Sequence, residues 1–274
     1  MRRMYIVLLE CALGKRLLEP LQHNVRIYAG KEIIRKEDDM GVIVVSQRGD
    51  KRVLSFDSCL EQSCVYLNKP YYLAHEYTQV MLLGLIFVDA KDVTLLGLGG
   101  GGLAHCLSHY YKEMKINVVE QRQAVIDIAY EWFDLPRTPQ LQVCQDDAQQ
   151  YLMRVKSAST DIIFSDLYQA NGMSELQNQK GFFKNCYKVL NRKGWLILNF
   201  HAMPVFESAL MQTLRSLFPD IRVGHLIKGN WIIFCGKTPS PFDEETLSRR
   251  AEELVEQVKM PLMYYYRHLS VVSS

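Results

Sequence analysis

Short apolar runs alternate with amphipathic helical patterns from residue 93 to about residue 200. Apolar residues recur at helical spacing near 102–112, 123–133, 148–155 and 175–190. The runs between them predict the strands Val93–Leu96, Ile116–Glu120, Leu141–Cys144, Asp161–Ser165 and Trp195–Phe200. Such alternation requires right-handed crossovers and parallel strands that are covered on both faces. The pattern therefore predicts an α/β fold around a mostly parallel sheet.

The chain before residue 93 has a different pattern. Residues 24–70 are rich in β-branched residues, and we predict strands at Val25–Tyr28, Met40–Val45 and Arg52–Phe56. The charged stretch Arg35–Asp39 is interpreted as a solvated turn between strands, and residues 71–90 as an apolar helix.

The end of the chain returns to mixed elements. We predict a helix near 204–217, an antiparallel strand pair at Ile221–Val223 and Trp231–Cys235, and a last helix near 243–258. The domain prediction is an N-terminal β-domain at 1–70, a Rossmann-like domain at 71–240 and a C-terminal helical extension at 241–274.

Composition narrows the function classes. Hydrophobic residues make up 48% of the chain and the net charge is +2, which is too small to indicate a nucleic acid or an anionic membrane as partner. Seven dispersed cysteines indicate a reducing cytoplasm rather than a disulfide framework. The first nine residues resemble a signal peptide without a cleavage site, so we expect a packed element there.

No metal site is expected from the sequence. His105 and His109 lie one helical turn apart, but no third ligand is near them in the sequence, and we interpret them as ordinary helix positions. Cys59 and Cys64 lack the setting of a zinc ribbon and are interpreted as buried thiols.

A glycine-rich turn follows the first strand of the alternating region. Gly97, Gly99 and Gly101 belong to the run Gly97-Leu-Gly-Gly-Gly-Gly102, which opens into a helical pattern. Glycines let a backbone approach a ligand closely, and the helix start supplies unpaired N–H groups. A tight turn made only for packing is the structural alternative.

Acidic residues stand at the carboxyl ends of the next strands. Glu120 ends the second strand, Asp146 and Asp147 follow the third, and Asp166 follows the fourth. These strand ends line the crevice in which open α/β sheets bind ligands. An acid after the third strand can accept a hydrogen bond from an adenine amino group. A crevice lined by acids suits a phosphate-free nucleoside better than it suits the pyrophosphate of a dinucleotide. Asp147 is the better candidate for a helix cap, and Glu120 and Asp166 could also be capping or loop acids.

The chain resembles the spermidine synthase family over about 25–240. The matching residues are Gln62, Tyr77, Gly97–Gly102, Val118–Glu120, Asp146, Asp147 and Asp161–Asp166. It is most similar to bacterial spermidine synthase-like proteins, with which it shares the Tyr-Thr-Gln motif beginning at Tyr77. The resemblance implies a small N-terminal β-domain followed by a Rossmann-like methyltransferase fold that binds S-adenosylmethionine or its decarboxylated form as co-substrate.

The resemblance also implies roles for individual residues. Gln62 would approach the methionine-derived tail, Glu120 the ribose and Asp146 the adenine, while Tyr77 would flank an amine acceptor. Asp166 would be the catalytic acid that orients and deprotonates the attacking amine. The expected partners are the nucleoside, the amine and a second copy of the chain in a homodimer. The aromatic run Tyr264–Tyr266 indicates packing or a subunit contact.

Two positions depart from the family's pattern. Gly100 stands where the family has an Asp for the aminopropyl ammonium group, and Gln169 stands where it has an Asp for the diamine. Two lost charge-assisted bonds would weaken the binding of a polycation by a few kcal/mol. Aminopropyl transfer to an altered amine, methyl transfer and non-catalytic nucleoside binding are therefore the three functional hypotheses.

Overall fold

The computed structural model describes residues 30–56, 61–169, 172–226 and 229–272. The packed element expected at the first nine residues, the strand predicted at Val25–Tyr28 and the residue Cys59 lie outside these ranges. None of the helices in the described ranges combines the length and apolar character that a membrane span requires.

Four antiparallel strands form a small N-terminal sheet in sequential order. They are β1 (Lys31–Asp38), β2 (Gly41–Arg48), β3 (Lys51–Phe56) and β4 (Glu61–Tyr66). The prediction of a turn at Arg35–Asp39 is wrong, because β1 continues through Asp38. Charged residues are tolerated there because β1 is an edge strand whose polar side chains reach solvent.

A second sheet of eight strands carries the Rossmann-like fold, in the order β14-β12-β13-β11-β8-β5-β6-β7. Its parallel part, with the intervening helices, consists of β5 (Asp92–Leu96), α2 (Gly102–Tyr110), β6 (Lys115–Glu120), α3 (Gln123–Trp132), β7 (Leu141–Gln145), α4 (Ala148–Arg154), β8 (Thr160–Ser165), α5 (Lys180–Val189) and β11 (Leu190–Phe200). All five strands predicted for this region are confirmed, and so is the α/β fold class. Two short paired strands, β9 (Tyr168–Gln169) and β10 (Gly172–Met173), follow β8.

The remaining elements are three helices and the last three strands of the large sheet. They are α6 (Ala209–Leu217), β12 (Asp220–His225), β13 (Trp231–Gly236), α7 (Glu244–Val258), α8 (Met263–Arg267) and β14 (Ser270–Val271). The predicted antiparallel pair of β12 and β13 is confirmed. The C-terminal segment was predicted to be helical only, but β14 also adds a short antiparallel strand beside β12.

The segment that links the two sheets differs from the single helix predicted at 71–90. It forms α1 (Glu76–Met81) and then a tighter 3-10 helix, Leu82–Ile86. From Val80 to Ile86 every residue is buried, so this part lacks the polar face that would identify a helix from sequence. Gly84 allows close packing, since a Cβ there would lie 2.7 Å from the side chain of Ile197 in β11.

An apolar cluster packs the small sheet against α3, the helix that follows β6 of the large sheet. Ile43, Val45 and Leu54 of the small sheet are fully buried and pack with α3 and with Phe133, which directly follows it. Burial of this kind fixes the small sheet over the carboxyl ends of the parallel strands, where the predicted site lies.

Candidate active site

A cavity of about 430 Å³ lies between the small sheet and the carboxyl ends of β5, β6, β7 and β8. The chain runs from β5 outward to β6 and β7, and β8 then returns to the other side of β5. Such a reversal opens a crevice in which α/β proteins bind ligands. The predicted residues that line the cavity are Gln62, Tyr77, Gly97, Gly99, Glu120, Asp146, Asp147 and Asp166.

Two predicted residues stand apart from this group. Gly101 is not part of the cavity wall but precedes α2 as its N-cap, with a φ of 79°. Gln169 is described only by its backbone, in β9.

The glycine turn is held in a conformation that requires glycine. Gly97 has a φ of 95°, and a Cβ at this position would lie 2.4 Å from the backbone oxygen of Asp166. The turn after β5 therefore runs directly against the residue that ends β8. This close approach places the glycine turn and Asp166 on the same cavity wall.

Gly100 lies against the small sheet. Its N–H donates to the Ser63 hydroxyl at 2.9 Å. A Cβ at position 100 would lie 2.8 Å from the ring of Phe133 and 3.1 Å from the Ser63 Oγ. The space that a longer side chain would need is therefore filled by the Phe133 ring, which packs between the small sheet and α3.

Glu120 is fixed by two backbone N–H groups. Leu98 donates to its Oε2 at 3.1 Å, and Arg122 donates to its Oε1 at 2.9 Å. Burial raises the pKa of Glu120 above its usual range, and these hydrogen bonds offset part of that rise. The carboxylate is thus oriented along the cavity wall, and oxygen lone pairs remain for ligand hydroxyl groups.

Arg122 links the small sheet to the part of the cavity wall that contains Glu120. Its side chain is 6% exposed and donates to both carboxylate oxygens of Asp38, at 3.0 and 2.7 Å, and to the backbone oxygen of Gly41. The turn between β1 and β2 is therefore held over Glu120, and Met40 of this turn lines the cavity.

The two adjacent aspartates have different partners. Asp147 caps α4 by accepting the N–H of Gln150 at 2.9 Å, as the sequence had favoured. Asp146 forms an ion pair with Arg154, whose side chain is 65% exposed. Asp146 is therefore the one of the two that has no helix-capping role.

Asp166 is held by a polar network that crosses the sheet. Asn199 of β11 donates to its Oδ1 at 2.9 Å, the Tyr77 hydroxyl also donates to it, and Asn230 donates to the Asn199 Oδ1 at 2.9 Å. Burial raises the pKa of Asp166 above its usual range despite these hydrogen bonds, and burial also raises the pKa of Tyr77. Tyr77 therefore stays neutral and serves as a donor.

Asn199, Asn230 and His75 belong to the site but were not predicted from the sequence. Asn199 could have been found, because it is a polar residue inside the apolar strand Trp195–Phe200. Asn230 and His75 lie outside strands and carry no such signal. His75 lines the cavity, and the centroid of its ring lies 5.3 Å from that of Tyr77.

Gln62 lies inside β4. Leu54 pairs with Ser63 and Ser55 pairs with Glu61, which leaves Gln62 as the extra residue of a β-bulge. Bulges redirect side chains and are frequent beside active sites. This one places Gln62 in the cavity wall.

Comparisons with known proteins give the family and the fold that this chain resembles. The family model described as the spermine/spermidine synthase domain matches residues 75–222. A polyamine aminopropyltransferase of Neisseria meningitidis is 27% identical over 217 residues, which are 77% of this chain and 82% of the relative.

Solved structures show the same fold. A probable spermidine synthase from Corynebacterium glutamicum superposes with a TM-score of 0.70 at 22% identity, covering 82% of this chain and 87% of that one. A spermidine synthase in complex with the transition state analogue AdoDATO gives a TM-score of 0.64 at 17% identity, covering 85% and 87%. The predicted small β-domain followed by a Rossmann-like methyltransferase fold is thereby confirmed.

Proposed function

Because the chain belongs to the spermine/spermidine synthase domain family, we propose that it transfers an aminopropyl group from decarboxylated S-adenosylmethionine to an amine acceptor. The observation that carries the proposal is Asp166, a carboxylate held by Tyr77 and Asn199 on the wall that it shares with Glu120. A carboxylate in this place can accept the proton that an ammonium group must lose before it can attack.

The reaction then follows in one displacement. Asp166 accepts one proton from the acceptor ammonium, and the freed nitrogen lone pair attacks the carbon bonded to the sulfonium. The carbon–sulfur bond breaks, its electron pair returns to sulfur, and methylthioadenosine leaves. In this proposal Glu120 binds the ribose and Asp146 the adenine. Gln62 contacts the sulfonium tail, while Tyr77 and Gln169 contact the acceptor.

The charges of the cavity favour a donor without a carboxylate. Arg122 is the one arginine or lysine among the described lining residues, and its guanidinium is already bound to Asp38. Four carboxylates, of Glu120, Asp146, Asp147 and Asp166, line the same cavity. Decarboxylated S-adenosylmethionine and an amine are both cations and suit such a cavity. S-Adenosylmethionine would bring a carboxylate for which no uncommitted cation is described, so methyl transfer is the second candidate.

We also propose that the protein acts in the cytoplasm as a homodimer. The five described cysteines are all free, which fits a reducing compartment. Tyr265 is buried and donates its hydroxyl proton to Glu76, whereas its neighbour Tyr264 is 52% exposed and is the candidate for a subunit contact.

The function is tested by supplying donor and acceptor together. The protein is incubated with decarboxylated S-adenosylmethionine and one amine at a time, which is putrescine, a longer diamine, spermidine or a monoamine. The products are identified by mass spectrometry. We expect methylthioadenosine to form only when a suitable amine is present, together with the aminopropylated amine. Methylated product from S-adenosylmethionine would support the second candidate. Tight nucleoside binding without turnover on any amine would support a binding protein.

We expect putrescine to be a poor acceptor, and Gly100→Asp alone not to improve it. A side chain at position 100 would press on the Phe133 ring, so the new carboxylate cannot take the place that the resemblance gives it. Gly100→Ala should lower the free energy of unfolding by about 1–3 kcal/mol in chemical denaturation.

Gly102→Ala is the matched control for stability. Among the described residues outside its own helix and its chain neighbours, a Cβ there would meet Leu73 alone, at 3.6 Å. Gly102 begins α2, so the change should be neutral or slightly stabilising. Equal stability of the two variants, or faster turnover of putrescine by Gly100→Asp, would show that the space beside Phe133 is open.

A further inference from the structure

We propose that Glu61, Cys64 and His75 form a binding site for a divalent transition metal ion, Zn²⁺ by preference, in the wall of the cavity. A carboxylate oxygen, a thiol sulfur and a ring nitrogen, one from each residue, lie within 4.8 Å of one another. Thiolate, imidazole and carboxylate together suit Zn²⁺ and not Mg²⁺ or Ca²⁺. The inference rests on these residues and is independent of the proposed reaction.

The β-bulge in β4 creates this cluster. Residues three apart in a regular strand point to opposite faces of the sheet. Because Gln62 is the extra residue of the bulge, Glu61 and Cys64 instead converge. His75 is the residue that directly precedes α1. The three ligands are therefore supplied by β4 and by the start of α1.

The separations are close to those of a metal centre. Ligand bonds of about 2.0–2.3 Å in a tetrahedral site place ligand atoms about 3.3–3.8 Å apart. The His75 Nε2 already lies 3.2 Å from the Glu61 Oε1, and the Cys64 sulfur lies within 4.8 Å of a ligand atom of each of these residues. The largest separation is therefore about 1 Å above the range of a tetrahedral site.

The ring nitrogen of His75 is the strongest indication of a missing partner. Nε2 is inaccessible to solvent and makes no well-directed hydrogen bond within the described part of the chain, although Glu61 is near. A buried nitrogen whose contact with a carboxylate is poorly directed is incompletely satisfied, and a metal ion at the centre of the cluster would satisfy it. Arg48 binds the other carboxylate oxygen of Glu61 at 2.8 Å, which leaves Oε1 for the ion and orients the group.

The fourth coordination position would open into the cavity. Cys64 and His75 both line it, close to Tyr77. Three protein ligands with one open position are typical of zinc ions that bind water or a substrate atom. Here the open position could take water or the nitrogen of an amine.

The experiment reads metal binding directly, without turnover. The full chain is stripped with a chelator and titrated with Co²⁺, and absorption is recorded in the visible and near ultraviolet. We expect one equivalent of Co²⁺ to give a thiolate-to-cobalt charge-transfer band that Zn²⁺ abolishes. Cys64→Ser should remove that band, and His75→Gln should weaken the Co²⁺ affinity by at least about tenfold.

Cys144→Ser is the matched control, because Cys144 is an exposed thiol that could bind cobalt adventitiously. It should keep the band and the affinity. The proposal is overturned if the wild-type protein shows no charge-transfer band at one equivalent, or if the band is lost with Cys144→Ser and kept with Cys64→Ser. Because the wild-type spectrum alone decides the first point, poor folding of a variant leaves the proposal testable.

Discussion

Asp166→Asn should lower turnover of the true acceptor by about 10²–10⁴-fold, the usual contribution of a positioned base. Asn has the size of Asp and can still accept a hydrogen bond from Asn199 or Tyr77, but it cannot take up the proton of the amine. Steady-state kinetics with the best acceptor would give kcat, and calorimetry with methylthioadenosine would give nucleoside affinity, which should stay within a few fold.

Glu120→Ala is the contrasting variant. It removes a carboxylate that we assign to the ribose, so nucleoside affinity should fall by about 1–3 kcal/mol, the range for a lost charged hydrogen bond. If Asp166→Asn weakened nucleoside binding and turnover by the same factor, Asp166 would be a ligand anchor. Unchanged turnover would remove Asp166 from the mechanism.

The pKa of Asp166 gives the same prediction a pH dependence. Burial holds that pKa above the ordinary value of 3.8, so the rate should fall on the acid side at a higher pH than for an exposed aspartate. When folding raises the pKa of a carboxyl group, the folded state loses stability as the pH rises from the pKa in the unfolded state to the pKa in the folded state. Asn at position 166 carries no charge, so the Asp166→Asn variant is free of the desolvation cost of a buried carboxylate. At neutral pH, desolvation should therefore not lower its free energy of unfolding.

The position of the candidate site was predictable from the sequence. Strands that alternate with helices must lie parallel, so their carboxyl ends meet at one edge of the sheet. Gly97, Glu120, Asp146 and Asp166 each stand at such an end, and the structure brings all four to one cavity. The chain order of the strands and the residue at each end are local properties of the sequence, which is why this inference succeeded.

Contacts between distant elements were not predictable in this way. Asn199 reaches Asp166 because β11 pairs with β8, a neighbour relation that no local pattern encodes. The extra residue in β4 is visible only when the register with β3 is known. Likewise, the sequence shows that Gly100 lacks a carboxylate, but only packing shows that Phe133 fills the space.

Gly97→Ala should lower the free energy of unfolding by about 2–5 kcal/mol. A left-handed conformation costs a residue with a Cβ about 1–2 kcal/mol, and forcing atoms into a packed site costs about 1–3 kcal/mol more. Both costs apply, because Gly97 has a φ of 95° and its Cβ would lie 2.4 Å from the Asp166 backbone oxygen. Chemical denaturation measures the loss, and methylthioadenosine affinity should fall as the turn moves away from Asp166.

Gly229→Ala separates the two costs. Gly229 has a φ of 103°, but apart from its chain neighbours no atom of the described residues lies within 4 Å of the place that its Cβ would occupy. It should lose only the conformational part, about 1–2 kcal/mol, and keep nucleoside affinity. An equal loss of stability in both variants would mean that the backbone at Asp166 yields to the added methyl group. Gly97 would then be needed for its backbone angles alone, and the contact between the glycine turn and Asp166 would not fix the shape of the cavity.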